Sequence, residues 1–207
     1  MNDMRTLTES ALWSHAWSLL RRSHLLRPFS SQHERHGKNP RFISWEDSFE
    51  SSNTNKPYSM TVFEPSANKS EILLARYAEW SSEYDLREIR KDINQETRVS
   101  LVYEPTVMIA DFSVKKTLFL PLFQNLCHSS LPSIVELEDQ NDKGMNFDGA
   151  RMGTTGFEIL SRCIPPNRFT AQWSSYPPDS WQALITSFKH VRGFLFSEMK
   201  EQGVVPE

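Results

Sequence analysis

Apolar residues recur along this chain in two rhythms, one helical and one alternating. Over residues 7–26, "LTESALWSHAWSLLRRSHLL", the positions Leu12, Trp13, Ala16, Trp17, Leu19 and Leu20 repeat at helical spacing. Thr8 or Ser10 can cap the start of that helix. Residues 27–41, rich in charge and in helix breakers, read as a linker. "FISWEDSF" and "YSMTVF" alternate and predict two short strands about a polar turn. "SEILLARYAEWSSEY" reads as a helix capped by Ser70, with Ile72, Leu73, Leu74, Ala75, Tyr77 and Ala78 as its apolar content.

The second half carries more strand signals. "VSLVYE" and "VMIADFSV" predict a hairpin turning at Pro105, "TLFLPLF" reads as a further strand or a strand plus turn, and "SIVELED" as the next strand. Residues 139–156, with Gly144, Gly149, Gly153 and Gly156, read as a loop. "GFEILSRCI" and "RFTAQW" follow as weaker strands. The chain then forms a long helix, with Trp181, Leu184, Ile185, Phe188, Val191, Leu195 and Met199 along one side. Helix, strands and helix in that order predict a mixed α/β domain.

Composition narrows the class. The 207 residues are 38% hydrophobic, enough for one domain with a core, and 24% charged, as in globular chains. No apolar run approaches a membrane span, and "MNDMRTLTES" lacks a basic-then-apolar leader, so the expected location is cytoplasmic. Charge is uneven. Residues 1–41 carry Arg5, Arg21, Arg22, Arg27, Arg35, Lys38 and Arg41 against Asp3, Glu9 and Glu34, a balance of +4 within a chain of net −3. A basic end on an acidic body implies an anionic partner or a solvated helix face.

Most catalytic chemistry lacks its residues. The seven glycines form neither GxGxxG nor GxxxxGK[ST], and no GxSxG occurs. His33 and His36 lack the spacing of a zinc motif, and Cys127 and Cys163 are too few for a disulfide framework. The carboxylates remain. Asp111 lies inside the apolar "VMIADFSV", where a charge must be paired or metal-bound. Glu136 and Glu138 stand two apart in "SIVELED" and so share one face of a strand. They form either an acidic outer face or, with Asp111, a site for magnesium, which prefers oxygen ligands.

Several strings resemble TnsA, the endonuclease subunit of bacterial heteromeric cut-and-paste transposases. They are His36-Gly37-Lys38, Phe42-Ile43-Ser44-Trp45, Glu71, Glu79-Trp80-Ser81-Ser82 and Asp85-Leu86-Arg87-Glu88, spread over residues 36–113. The resemblance implies a restriction-endonuclease-like fold with a PD-(D/E)xK-type site: a central mixed sheet flanked by helices over residues 37–207, behind a basic helical arm at 1–36. It implies that Glu71, borne at a helix start, binds Mg²⁺ or Mn²⁺ with Asp111 and Glu136. Glu138 falls where the family has its catalytic Lys, which leaves either a second Glu acting as ligand or base, or a subunit that does not cut. The implied substrate is double-stranded DNA at transposon ends, nicked on the non-transferred strand. Arg21, Arg22, Arg27, Arg35, Lys38 and Arg41 would meet its phosphates. The implied partners are a DDE-type transposase and an AAA+ ATPase regulator.

Overall fold

A computed structural model describes residues 2–23, 40–46, 56–63, 71–94, 104–129, 155–161, 167–173 and 179–204. These residues form strands β1 (Pro40–Glu46), β2 (Tyr58–Phe63), β3 (Ile72–Trp80), β4 (Val107–Lys115), β5 (Thr155–Ser161) and β6 (Asn167–Trp173). The helices are α1 (Asn2–Arg21), α2 (Ser82–Asn94), α3 (Lys116–His128) and α4 (Gln182–Glu201), the last entered through a 3₁₀ turn at Asp179–Trp181. The expectation of a mixed α/β fold is met. The six strands form one sheet in the order β4-β3-β2-β1-β5-β6. Among the described residues the sheet is antiparallel in every pairing and not mixed as expected. No helix among the described residues is long and apolar enough to cross a membrane.

The sheet is covered on both faces. Against one face, α3 and α4 bring Phe119, Phe123, Leu126, Leu184, Phe188, Val191 and Leu195 onto Phe42, Met60, Leu73, Phe112 and Phe157. Against the other, α1 seats Leu12, Ala16 and Leu20 on Ala78 and Trp80. Trp13 meets Trp80 edge-on, with ring centroids 4.5 Å apart.

Two elements differ from the sequence expectation. Residues 72–80 form a strand where a helix was expected. Leu73 to Ala78 are all buried, because both faces of β3 are covered. Such a strand shows a continuous apolar run instead of alternation, and in this respect looks like a buried helix. The helix comes after it: α2 begins at Ser82. The "TLFLPLF" stretch is likewise part of α3, not a strand. Phe119, Phe123 and Leu126 follow helical spacing against the core, and that packing outweighs an internal Pro121. The strands expected at 99–104 and 133–139 lie in whole or in large part outside the described residues.

Two polar devices close the corners. Asp85 in the first turn of α2 is buried and accepts from Trp80 Nε1 at 2.6 Å, from Thr106 N–H at 2.8 Å and from the Thr106 hydroxyl at 2.8 Å. It therefore ties the end of β3 to the approach to β4. Asp85→Ala is expected to cost about 2 kcal/mol in urea unfolding, since it strands buried donors. Gln202, just past α4, uses its side-chain amide as a strand residue would. Its Oε1 accepts from Ser113 N–H at 3.1 Å and its Nε2 donates to Ser113 O at 2.6 Å. That contact satisfies both backbone groups of Ser113 on the edge strand β4. Gly203, at φ 62°, turns the chain out of the helix there.

Candidate functional site

The face of the sheet beneath α1 holds a charge pair between the edge strand β4 and its neighbour β3. Arg76 of β3 and Asp111 of β4 are register partners. Arg76 Nε donates to Asp111 Oδ1 at 2.6 Å and Nη2 donates to Oδ2 at 2.9 Å, a two-pronged contact that engages both carboxylate oxygens. The Arg76 side chain is fully buried and that of Asp111 is 11% exposed. Arg76 Nη1 also donates to Ser23 O at 3.0 Å, while Ser59 donates to Leu20 O at 2.6 Å. Carbonyls at the end of a helix lack intrahelical partners, and here the sheet supplies them. The pair thus holds β3, β4 and the end of α1 together.

Asp111 was expected to be paired or metal-bound, and the described partner is an arginine. Glu71 is not brought to it. The expected helix start is a bend before β3, where Glu71 is exposed and its carbonyl accepts from Lys116 N–H at 2.9 Å. The register sets Ile72 against Lys115 and Arg76 against Asp111. Glu71 therefore lies five residues along from the Asp111 level, roughly 17 Å at strand rise. Two carboxylates so placed cannot share an ion whose ligand bonds are about 2.1 Å. Glu136 and Glu138 lie outside the described residues. Among the described residues, no group of three or more His, Cys, Asp or Glu is arranged to hold a metal.

The basic set is divided. Arg21 lies over the Trp45 ring, 4.6 Å from its centroid, on the α1 side of the sheet. Arg41 lies over Phe123 of α3 at 5.0 Å, on the other side. Arg22 is exposed in the turn after α1. Arg27, Arg35 and Lys38 lie outside the described residues. The described cations therefore do not form one stripe.

A second polar assembly, missed in the sequence, lies on the α4 face. Glu46, Tyr58 and Glu79 are neighbours in register across β1, β2 and β3. The Tyr58 hydroxyl donates to Glu46 Oε2 at 2.7 Å, and Arg192 of α4 donates to the same oxygen. The Tyr77 hydroxyl donates to Glu79 Oε2 at 2.7 Å, and Lys56 donates to Oε1 at 2.8 Å. Tyr58 and Tyr77 stack with centroids 5.6 Å apart, and Phe196 meets Tyr58 edge-on at 5.3 Å. These residues, with Lys189 and Gly193, line a cleft of about 470 Å³. Alternation in "YSMTVF" indicated a shared face for Tyr58 and Met60, but only the register places Glu46 and Glu79 on either side of Tyr58.

No family model, curated protein or solved structure matches this chain. The geometry of the two assemblies is therefore what bears on function.

Burial pushes both phenols well above the ordinary tyrosine value of 10.0. The nearby carboxylates push in the same direction, while Arg192 opposes them at Tyr58. Each tyrosine thus stays a donor to its carboxylate. A proton held more tightly when folded contributes stability below the unfolded value, and that contribution is lost as pH rises through the folded one. Stability should therefore fall as pH rises above 10. In ultraviolet titration Tyr58 and Tyr77 should ionise only with unfolding, and substituting either by Phe should remove one such late-ionising phenol.

Proposed function

We propose that this chain is a non-cutting, DNA-binding scaffold subunit of a TnsA-like transposition complex. The observation that carries the non-cutting part is the Arg76–Asp111 contact, in which the acid at the family's central metal position already has both oxygens engaged. The distance of Glu71 from that level supports the same reading, as does a Glu at position 138 where the family has Lys. DNA binding rests on the +4 balance of residues 1–41, which would neutralise phosphates without reading bases. The kinship to restriction-endonuclease-like folds rests on the sequence strings at 36–113. In this reading the partners are double-stranded transposon ends, a DDE-type transposase and an AAA+ ATPase.

Fluorescence anisotropy with duplex DNA, beside a nicking assay with Mn²⁺ and the transposase, tests both parts. The expected result is salt-sensitive binding, weakened by the Arg22→Glu, Arg27→Glu double variant, with no nick. Arg21 is left unchanged because it packs on Trp45. The competing reading is an endonuclease using Mg²⁺ or Mn²⁺ at Glu71, Asp111, Glu136 and Glu138, which the ExE pattern favours. Nicking that disappears in a folded Asp111→Asn variant would establish it. Neither binding nor nicking would rule out both.

A further inference from the structure

The cleft beneath α4 holds more hydrogen-bond donors than its own acceptors use. Three cations, Lys56, Lys189 and Arg192, face two carboxylates, Glu46 and Glu79, leaving an excess of one positive charge. Both phenols are already committed to those carboxylates. Arg192 has five N–H donors and gives one to Glu46, while Lys56 has three and gives one to Glu79. Lys189 has no carboxylate partner among the described residues. The remaining donors come from both walls, Lys56 just before β2 and Lys189 with Arg192 on α4.

A ligand that suits this cleft must be rich in acceptors, poor in donors and negatively charged. A carboxylate offers two oxygens in a plane. A phosphate monoester offers three terminal oxygens pointing in different directions, and arginine and lysine both serve such groups. The remaining space suits a small organic group, since clefts of roughly 300–1,000 Å³ commonly hold ligands. The cleft is open beside Gly193, where a Cβ would meet no atom within 4 Å, so a larger side chain there has room to occupy it.

We propose that the cleft lined by Lys56, Lys189, Arg192 and Gly193 binds a small phosphate monoester, its phosphate oxygens accepting from the two lysines and the arginine. The site lies on a different surface from the Arg76–Asp111 pair and does not depend on the DNA-scaffold reading. The monoester could come from a free sugar phosphate or from the 5′ end of a nucleic acid strand, and both present the same terminal group.

Calorimetric titration of the full chain separates these cases. The probes are ribose 5-phosphate, ribose as the uncharged control, and a short oligothymidylate with either a 5′-phosphate or a 5′-hydroxyl. Ribose 5-phosphate should bind and ribose should not. Preference for the 5′-phosphorylated oligonucleotide over both would assign the source to a strand end. Lys189→Ala should weaken binding about tenfold by removing one charge-assisted contact. Gly193→Leu should abolish it by filling the cleft, with the circular dichroism spectrum and duplex-DNA binding unchanged. Arg192 is not used, because it also holds Glu46. The proposal fails if no phosphorylated probe binds up to about 10 mM, at the weak end of useful affinity. It also fails if ribose or the 5′-hydroxyl strand binds equally well, or if folded Gly193→Leu and Lys189→Ala bind as the parent does.

Discussion

Arg76→Ala is expected to lower the unfolding free energy by about 3–5 kcal/mol in urea titration, because it leaves a buried carboxylate without its counter-charge. Asp111→Leu should fall in the same range, since the guanidinium it abandons is fully buried. The double variant Arg76→Met, Asp111→Leu should recover most of that loss. A buried pair gives up much hydration to form, so two apolar side chains of similar size can replace it at little net cost. A residue of about 1 kcal/mol should remain from the Ser23 carbonyl that Arg76 also serves. The cycle bears on function as well. Single losses below 1 kcal/mol would mean that Asp111 is not committed to Arg76, and would reopen it as a metal ligand. For the same reason, an inactive Asp111 variant is informative only if its melting temperature is retained.

Gly156→Ala should cost about 3 kcal/mol, a drop of roughly 6–12 °C in melting temperature for a chain of this size, with Gly156→Val costing more. Gly156 lies in β5 opposite Trp45 of β1. A Cβ there would come within 2.5 Å of Trp45 Cζ2 and 2.8 Å of the Ala171 carbonyl oxygen. The carbonyl belongs to the neighbouring strand, and the indole is buried with Arg21 lying over it, so neither has room to yield. Trp45→Leu should relieve part of the cost in Gly156→Ala, and thermal melts of the two single variants and the double variant would show it. A melting temperature unchanged by Gly156→Ala would mean that the indole lies elsewhere. Read from sequence as the end of a Gly-rich loop, this glycine is a packing requirement inside a strand.

The hydrophobic pattern alone was enough to find α1, β1, β2, β4, β5, β6 and the terminal helix. Each has periodic apolar spacing; in the half-buried β4 that spacing reports the burial of one face, and β2, buried on both faces, still alternates because Ser59 and Thr61 fill its second face. The pattern also showed that Asp111, alone in an apolar strand, needs a partner. It could not show which one, nor that β3 is a strand. Between two helical layers both faces of β3 are apolar, so its periodicity is erased, and its Leu, Ala, Arg and Glu content favours a helix. Only the antiparallel register decides that Arg76 meets Asp111, that Glu71 lies far from it, and that Glu46, Tyr58 and Glu79 stand in one row. Contacts between strands depend on how the chain is aligned with itself, and local spacing does not encode that alignment.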